Sequence, residues 1–292
     1  MKGTLLPGDF ICINKLLFGA RLPITALSVP ILSERNTSKT NKYFLSWLQI
    51  PYCRMPGFDH LKRCDILLFN YPMDTVFPVD KRQLYIKRCI GLPGDTILIS
   101  KSKVTVNQQE ITIKNAKFPY KIISRSKHDD RDHLIFLSSE QVQLMRKGKK
   151  GIKIVQVSMK TEAELFPENP QIKWDLSDFG PLVIPFKGLT IKLTEQNFIL
   201  YRSVISLHEK GNFIVSDSGI YKNGSILKEY TFRQNYYFVL DDNRANSKDS
   251  RYWGFLPEDH IIGKVSVCLF SYDSEASGFM KIRWDRFFKS VH

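Results

Sequence analysis

The apolar positions of the chain fall mostly in short runs rich in β-branched and aromatic residues. Gly, Pro, Asp or Asn residues bound most of these runs, a pattern typical of β-strands separated by turns. It predicts strands at residues 10–14, 65–71, 84–90, 96–100, 103–107, 189–193, 212–216, 236–240 and 263–272. The chain is therefore predicted to be mostly β.

One local pattern precedes three of these strands. The segments LLPGDFICI, GLPGDTILI and VIPFKGLTIKL each place a proline and a glycine just before an apolar run. Proline presets a turn, and glycine tolerates a positive φ. We interpret these segments as turns that lead into strands, not as units of a repeat protein.

Two segments have helical periodicity instead. In SSEQVQLMRKG, Ser138 lies three residues before Gln141, the spacing of a capping box, and a glycine ends the segment. In TEQNFILYRSVISLHEKG, Thr194 is the expected N-cap and Gly211 the expected stop. The apolar stripe of the second segment indicates core packing, so His208 on that stripe is interpreted as a rim histidine and not as a ligand.

Both predicted helices lie between two strand-rich blocks. Residues 101–211 are predicted to form an inserted α+β cap subdomain with two short helices. Residues 1–100 and 212–292 are predicted to form the β core. A chain of 292 residues is long enough to bury such a core without disulfide bonds.

The composition is basic, with a formal net charge of +14. Such a charge suits nucleic acid, an anionic membrane surface or simple solubility. No nucleic-acid-binding motif is present, so nucleic acid is not an expected partner. The densest basic run, residues 145–153, is interpreted as a solvated face, with contact to anionic lipid as the alternative.

The sequence contains no metal-binding pattern. The five cysteines are irregularly spaced and form no Cys-x-x-Cys or Cys/His zinc motif. The segment SRSKHDDRDH, residues 124–133, mixes its histidines and aspartates with basic residues and is interpreted as a solvated loop. No cofactor is expected. No run of about 18 apolar residues occurs, so no membrane-spanning helix is predicted.

One lysine lies inside an apolar strand, in the segment LYIKRCI. Because side chains alternate across a strand, Lys87 is expected to share a face with Tyr85 and Cys89, with Ile86 and Arg88 on the other face. Burial disfavours the charged form of a lysine, and a neutral lysine is a usable general base for a serine nucleophile. A lysine that snorkels at a sheet edge is the alternative.

A dense polar segment, DDNRANSKDSR at residues 241–251, follows the strand at 236–240. Polar groups beside a buried strand are costly unless they pair with one another. Asp249 and Arg251 are a candidate pair. The segment is therefore predicted to orient a functional group.

These segments together resemble the bacterial type I signal peptidases, which are serine–lysine proteases, over nearly the whole chain. The resemblance is carried by MKGTLLPGDFICINK at the start, LKRCDILLFNYP, YIKRCIGLPGD, YTFRQNYYFVLDDNRANSKDSRYWGFLPEDHIIGK, and a Trp–Asp–Arg ending near Arg286. The pair KR-x-IGLPGD and DNR-x-x-S-x-DSRYWG, in this order, is specific. Three segments, FGARLPITALSVPIL, IPYCRMPGF and FGPLVIPFKGLTIKL, are similar to members with a large insertion.

The resemblance implies a fold with an antiparallel β catalytic core, formed here by residues 1–100 and 212–292, and a large α+β insertion. It implies that Lys87 is the general base and that the Ser247 hydroxyl orients it. The implied supporting residues are Arg88, Asp242, Asp249 and Arg251.

The resemblance also implies where substrate binds. Tyr85 and Ile86 lie on the strand expected to pair with an extended substrate backbone, a form of β-augmentation. The positions expected around pockets for small side chains are Met1, Leu5, Ile11, Leu68 and Ile86. The implied substrates are exported preproteins with small residues before the cleavage site. The catalytic domain is expected on the outer, periplasmic face of the cytoplasmic membrane and against its surface. No metal, cofactor or nucleic acid is implied.

Three positions depart from the family pattern. The family nucleophile is the serine before the methionine of S-M-x-x-T, and MKGT matches this motif from Met1 onward. The serine, and a membrane anchor, would therefore precede Met1 and are absent from this sequence. Asp241 replaces the glycine of GDNR, and an acidic neighbour favours the charged form of a lysine unless it points away or is protonated. Cys64 replaces the glycine of KRGD and is interpreted as a packing variation.

Three hypotheses about function follow. The leading one is a signal peptidase I that removes signal peptides with a serine–lysine dyad. The second is a catalytically silent relative that binds signal peptides or partners, which Asp241 favours. The third is a cytoplasmic serine–lysine self-cleaving repressor, although the sequence contains no helix-turn-helix motif.

Overall fold

The computed structural model describes residues 1, 4–25, 48–113, 115–124, 134–148, 152–159, 161, 163–209, 213–216, 219–222, 224–276 and 281–291. Residues 125–133 of the histidine-containing segment and Gly211 lie outside them, so the predictions for those positions stay untested.

The central element is an antiparallel sheet of seven strands. It contains β1 (Asp9–Asn14), β2 (Ile66–Asn70), β3 (Leu84–Gly91), β16 (Tyr236–Leu240), β17 (Leu256–Pro257), β18 (Ile261–Ser271) and β19 (Lys289–Ser290). The strand order is β1-β18-β2-β3-β16-β17, and β19 pairs with β18. The two ends of the chain therefore meet in one sheet, because β18 pairs with both β1 and β2.

The remaining strands form four smaller antiparallel sheets. The largest contains β4 (Thr96–Ser100), β5 (Lys103–Val106), β6 (Gln109–Glu110) and β10 (Phe179–Val183). A second contains β7 (Lys117–Ser124), β8 (Leu134–Ser138) and β9 (Ile152–Gln156). The others pair β11 (Thr190–Lys192) with β15 (Glu229–Thr231), and β12 (Phe213–Ser216) and β14 (Ser225–Ile226) with β13 (Gly219–Lys222). This strand content confirms the predicted mostly-β class.

Both predicted helices are present. Helix α1 (Ser139–Gly148) begins with the expected capping box, in which the Ser138 amide donates to Gln141 Oε1 at 2.9 Å and the Gln141 amide donates to Ser138 Oγ at 3.3 Å. Helix α2 (Glu195–His208) is capped by Thr194, whose side chain accepts a hydrogen bond from the Asn197 amide. A third helix, α3 (Ser250–Trp253), was not predicted, because four residues are too few to show a period. None of the helices in the described ranges is long and apolar enough to cross a bilayer.

The three proline–glycine segments are turns, as predicted. Gly8, Gly94 and Gly188 have φ values of 89°, 87° and 91°, and each lies one or two residues before β1, β4 or β11. An L side chain is strained at such φ values, which explains the glycines. The strands of the β7–β8–β9 sheet were not predicted, since their polar and apolar residues alternate without clear turn residues between them.

The apolar core divides between the two sides of the central sheet. One cluster includes Leu67, Phe69, Cys89, Tyr237 and Val239. A larger cluster lies on the opposite side of the central sheet. It contains aromatic and branched residues of β4, β10, β16 and α2 and so includes part of the predicted insertion. Strands β4 and β5 form a hairpin, so the predicted boundary at residue 100 falls inside it. The division into core and insertion stays a prediction.

His208, at the end of α2, packs its ring against the ring of His260, with centroids 5.4 Å apart. Burial lowers the pKa of His208 to about 3, so the imidazole is neutral at physiological pH. The position of His208 at the end of α2, packed on another side chain, agrees with the predicted packing role.

Candidate active site

Lys87 lies in the middle of β3 with only 7% of its surface exposed. Its Nζ donates to Ser247 Oγ at 2.6 Å and to Asp241 Oδ2 at 2.5 Å. It also lies 5.9 Å from the centre of the Tyr85 ring, on the face that Tyr85 and Cys89 share. The alternative of a snorkelling lysine does not fit this position, because the amine is buried and bound to two side chains.

Asp241 lies directly after β16 and points towards the lysine. Besides Lys87, its carboxylate binds the Met1 nitrogen, at 2.7 Å from Oδ1 and 2.8 Å from Oδ2, and accepts from the Asn243 amide at 2.8 Å. Burial opposes its charge, but the neighbouring Lys87 and the Met1 nitrogen outweigh burial and hold the pKa of the Asp241 carboxyl at about 2. The carboxylate therefore neither points away from Lys87 nor is protonated at neutral pH.

Arg88, the next residue of β3, pairs with Asp242 on the opposite face. Two parallel hydrogen bonds join them, from Nε to Oδ1 and from Nη2 to Oδ2, both at 2.8 Å. Thr4 Oγ1 donates to Asp242 Oδ2 at 2.5 Å. The buried pair therefore ties the segment that follows Met1 to the end of β16. Thr4 was not predicted as a site residue, although it belongs to the MKGT segment, which was the available signal.

Asp249 and Arg251 form the predicted pair, fully buried. Arg251 donates to Asp249 from Nε at 2.9 Å and from Nη2 at 2.8 Å. Asp249 also caps α3 by accepting from the Arg251 amide, and its Oδ2 accepts from the Asp241 amide at 3.2 Å. Arg251 further donates to the carbonyls of Leu176 and Arg244. The pair thus holds the segment that carries both Asp241 and Ser247.

The predicted pocket residues lie together. One cluster contains Met1, Leu5, Ile11 and Ile86 in half-buried positions around Ile66, Val265, Cys268 and Val291. Leu68 joins them through the sheet, because it is the partner of Ile86 in the register of β2 and β3. The side chains assigned to the pockets therefore surround one apolar surface beside Met1.

The first half of β3 pairs with a strand on one edge only, among the residues that the structure describes. Strand β16 pairs with β3 only from Arg88 to Gly91, whereas β2 pairs with it from Leu84 to Arg88. Within the described residues, no strand pairs with the second edge of Leu84–Lys87.

Cys64 occupies a backbone position that favours glycine. Its φ is 72°, and its carbonyl accepts from Arg88 Nη1 at 2.8 Å. The interpretation as a packing variation is therefore incomplete, because the backbone conformation explains the glycine of the family at this position. Among the described residues, no group of three or more His, Cys, Asp or Glu side chains is arranged to hold a metal ion.

Comparison with known proteins assigns the chain to a family. The model of the family "Signal peptidase, peptidase S26" matches residues 1–157 and 201–270. The chain belongs to this family, as the resemblance implied.

The chain is also similar to proteins named signal peptidase I. The protein of Buchnera aphidicola subsp. Baizongia pistaciae is 28% identical over 273 residues, which cover 91% of this chain and 65% of that protein. The protein of Haemophilus influenzae is 25% identical over 293 residues, covering 100% of this chain and 67% of that protein. The chain thus spans about two thirds of the length of these relatives. A crystal structure of a signal peptidase I from Enterococcus faecalis V583 aligns with 72% of this chain and 100% of that chain, at 18% identity and a TM-score of 0.30.

Proposed function

We propose that the protein is a signal peptidase I, an endopeptidase that removes N-terminal signal peptides from exported preproteins. The observation that carries the proposal is the buried Lys87 amine, 2.6 Å from Ser247 Oγ and bound to the same carboxylate oxygen as the Met1 nitrogen. The nucleophile in this proposal is a serine joined to Met1. The Met1 nitrogen and Lys87 Nζ both contact Asp241 Oδ2, which supports a serine joined through that nitrogen as the partner of the lysine.

The chemistry proposed for the dyad is acyl transfer. The serine hydroxyl attacks the scissile carbonyl, and the neutral Lys87 amine accepts its proton. The resulting ammonium returns the proton to the leaving amine, and an acyl-enzyme forms. Water then attacks the ester with Lys87 again as the base. Ser247 holds Nζ in position throughout.

Asp241 adds a condition to this mechanism. A carboxylate at 2.5 Å stabilises the ammonium form of Lys87, which has no lone pair to accept a proton. We therefore expect Asp241→Gly to raise the rate of preprotein cleavage by the serine-extended chain. Mass spectrometry of the products measures this effect.

The proposed substrate lies extended along the open edge of Leu84–Lys87, with its scissile bond beside Lys87. Its small side chains enter the apolar surface around Ile86, Met1 and Ile11. Side chains such as alanine fit, because the surrounding positions are filled by large aliphatic residues. This fit accounts for the proposed preference for preproteins with small residues before the cleavage site.

The test joins one serine to Met1 and supplies a preprotein with alanine one and three residues before the cut. Mass spectrometry of the products should show cleavage after the second alanine. Lys87→Met in the same background should reduce the rate by at least about 10²–10⁴-fold. Lys62→Met is the matched control, since that lysine is exposed and pairs only with Asp59. If cleavage survives Lys87→Met, Lys87 is not the base.

A silent binding protein is the second candidate, and the Asp241–Lys87 contact favours it. A carboxylate that keeps the lysine charged suits binding better than base catalysis. In the same experiment, this function predicts that the preprotein binds the serine-extended chain but is not cut, at any pH up to the limit of folding. Restored cleavage in Asp241→Gly would then identify Asp241 as the cause.

We also propose that the domain lies on the outer face of the cytoplasmic membrane, in contact with the lipid surface. An exposed aromatic surface near the pocket supports this. Phe10 stacks on Phe270 with centroids 4.1 Å apart, and Trp284 stacks on Phe287 at 5.1 Å. Phe288 is 75% exposed beside them. Aromatic side chains of this kind favour membrane–water interfaces.

A vesicle flotation assay tests this contact. Vesicles that contain anionic lipid should bind the protein in a salt-sensitive way, because the chain carries a net charge of +14. Phe288→Ser should weaken the binding, whereas Phe58→Ser, a more exposed phenylalanine outside this aromatic surface, should not. Equal binding of all three proteins, or none, contradicts the proposed surface.

A further inference from the structure

Arg244 is a buried arginine in the segment that follows β16. Only 3% of its surface is exposed, and its Nε has no hydrogen-bond acceptor among the described residues. Burial and repulsion from Arg251 lower the pKa of Arg244 to about 10, although the charges of Asp249, Asp242 and Asp241 act to raise it. These three carboxylates accept their own hydrogen bonds from Arg251, Arg88 and Lys87. A buried donor without an acceptor is costly, so a ligand that accepts from Arg244 is indicated.

Arg244 is one of the residues that line a cavity of about 180 Å³, which contains neither Lys87 nor Ser247 in its lining. The charged residues around this cavity are Arg244, Lys101, Lys103 and Glu110. Lys103 pairs with Glu110 at 3.1 Å, so the charges of these two cancel. Lys101 is exposed and has no side-chain partner among the described residues. The cavity therefore has a net positive charge from Arg244 inside and Lys101 at its margin.

The rest of the lining limits what can bind. Ile111 and Phe118 provide apolar walls, and Ser139 and Gln156 provide polar groups. No carboxylate other than Glu110 is present in this lining. Guanidinium groups bind planar or tetrahedral oxyanions through two parallel hydrogen bonds, which suits a carboxylate or a phosphate. We propose that this cavity, which we call the Arg244 cavity, is a binding site for an oxyanion held by Arg244 and assisted by Lys101.

The backbone connects the Arg244 cavity to the active-site segment. The Arg244 amide donates to the Lys117 carbonyl at 3.1 Å, and the Lys117 amide donates to the Asp242 carbonyl at 2.7 Å. Arg251 Nη2 donates to the Arg244 carbonyl at 2.6 Å. A ligand on Arg244 therefore stabilises the segment that carries Asp241, Asp242 and Ser247. This inference does not depend on peptidase activity.

Thermal unfolding of the 292-residue chain tests the site. Sodium phosphate and sodium acetate are titrated separately at constant ionic strength, with sodium chloride as the balancing salt. A ligand that binds only the folded state raises Tm in proportion to ln(1 + [ligand]/Kd), which amounts to about 2–4 °C at several times the Kd. A response to phosphate alone identifies a phosphate-type ligand, and a response to acetate alone identifies a carboxylate. A response to both identifies a general oxyanion site.

Three variants separate the site from general salt effects. Arg244→Met should abolish the response, because it removes the guanidinium that holds the oxyanion, and a cooperative unfolding transition in chloride shows that it is folded. Lys101→Met, on the exposed margin, should fold normally and raise the apparent Kd several-fold. Lys62→Met, outside the cavity, should respond like the wild type. An equal response of all four proteins, or a wild-type response no larger than that to chloride, would overturn the proposal.

Discussion

Two consecutive residues of β3 form two ion pairs with two consecutive residues after β16, and the pairs differ in chemistry. Lys87 binds Asp241 on one face of the sheet, and Arg88 binds Asp242 on the other. All four side chains are buried. The two pairs lie on opposite faces because successive side chains of a strand alternate. The same backbone pairing therefore supports both.

The difference lies in what each cation can do. An arginine keeps its proton at all physiological pH values, so the Arg88–Asp242 pair can only hold structure. It joins Thr4 and the Cys64 carbonyl to the sheet. A lysine can lose its proton, so the Lys87 pair can take part in proton transfer. Its neighbours, a serine hydroxyl and the Met1 nitrogen, lie where that chemistry is proposed. The two pairs thus share one backbone arrangement, but the arginine pair can only hold structure, whereas the lysine pair is proposed to react.

The largest expected effect comes from Asp249, which supports both pairs through the Asp241 amide. Asp249→Ala leaves Arg251 as an uncompensated buried charge, so the free energy of unfolding should fall by about 3–5 kcal/mol. Chemical denaturation measures the loss, and cleavage by the serine-extended protein should fall with it. Asp59→Ala, which removes an exposed ion pair that solvent screens, should have little effect on the free energy of unfolding. Equal effects of the two substitutions would remove the supporting role of Asp249.

Arg88→Lys tests whether the second pair needs a planar cation. An ammonium cannot make both parallel bonds to Asp242 and also reach the Cys64 carbonyl, so we expect a loss of about 2–3 kcal/mol in the free energy of unfolding. Arg63→Lys is the matched control, because Arg63 also makes two bonds to a carboxylate, Asp95, but is 41% exposed. Urea unfolding of both variants gives the comparison. A larger loss for Arg63→Lys would show that burial does not decide the cost.

The smallest effect concerns the pH dependence of the first pair. The pKa of Asp241 is lowered to about 2 in the folded protein, from 3.8. Its stabilising contribution is therefore complete above the unfolded pKa and is lost as the pH falls from about 4 to about 2. Over this pH range, the free energy of unfolding of the wild type should fall by about 1–2 kcal/mol more than that of Asp241→Asn. Unfolding measured from pH 6 to pH 2 should give a flatter acid limb for the variant. If the two acid limbs have the same slope, the charge of Asp241 does not stabilise the folded protein in this range.

Much of the fold was predictable because local patterns report it. The strands at 96–100 and 236–240 were predicted to the residue, since Gly, Pro or Asp mark their ends. The capping box of α1 and the N-cap of α2 were visible as spacings. Strand β7 and its neighbours were missed, because polar residues alternate there on a small sheet that is only partly covered by α1.

The candidate site was predictable in part. The face of Lys87 and the Asp249–Arg251 pair follow from the period of a strand and from two nearby charges. The contact between Thr4 and Asp242 could not be predicted in this way, because 238 residues separate them in the chain. The Lys87–Asp241 contact spans 154 residues, and only the resemblance suggested that the two lie close.

The sequence by itself determined the strand and turn pattern, the family, and the presence of a lysine inside an apolar strand. Those features depend on neighbouring residues and on the alternation of side chains, which are local. Only the tertiary structure decided that Asp241 faces Lys87, that Thr4 binds Asp242 of the second ion pair, and that the Arg244 Nε is buried without an acceptor among the described residues. The physical reason is that pairing and burial depend on which distant strands lie side by side, and no local pattern records that choice.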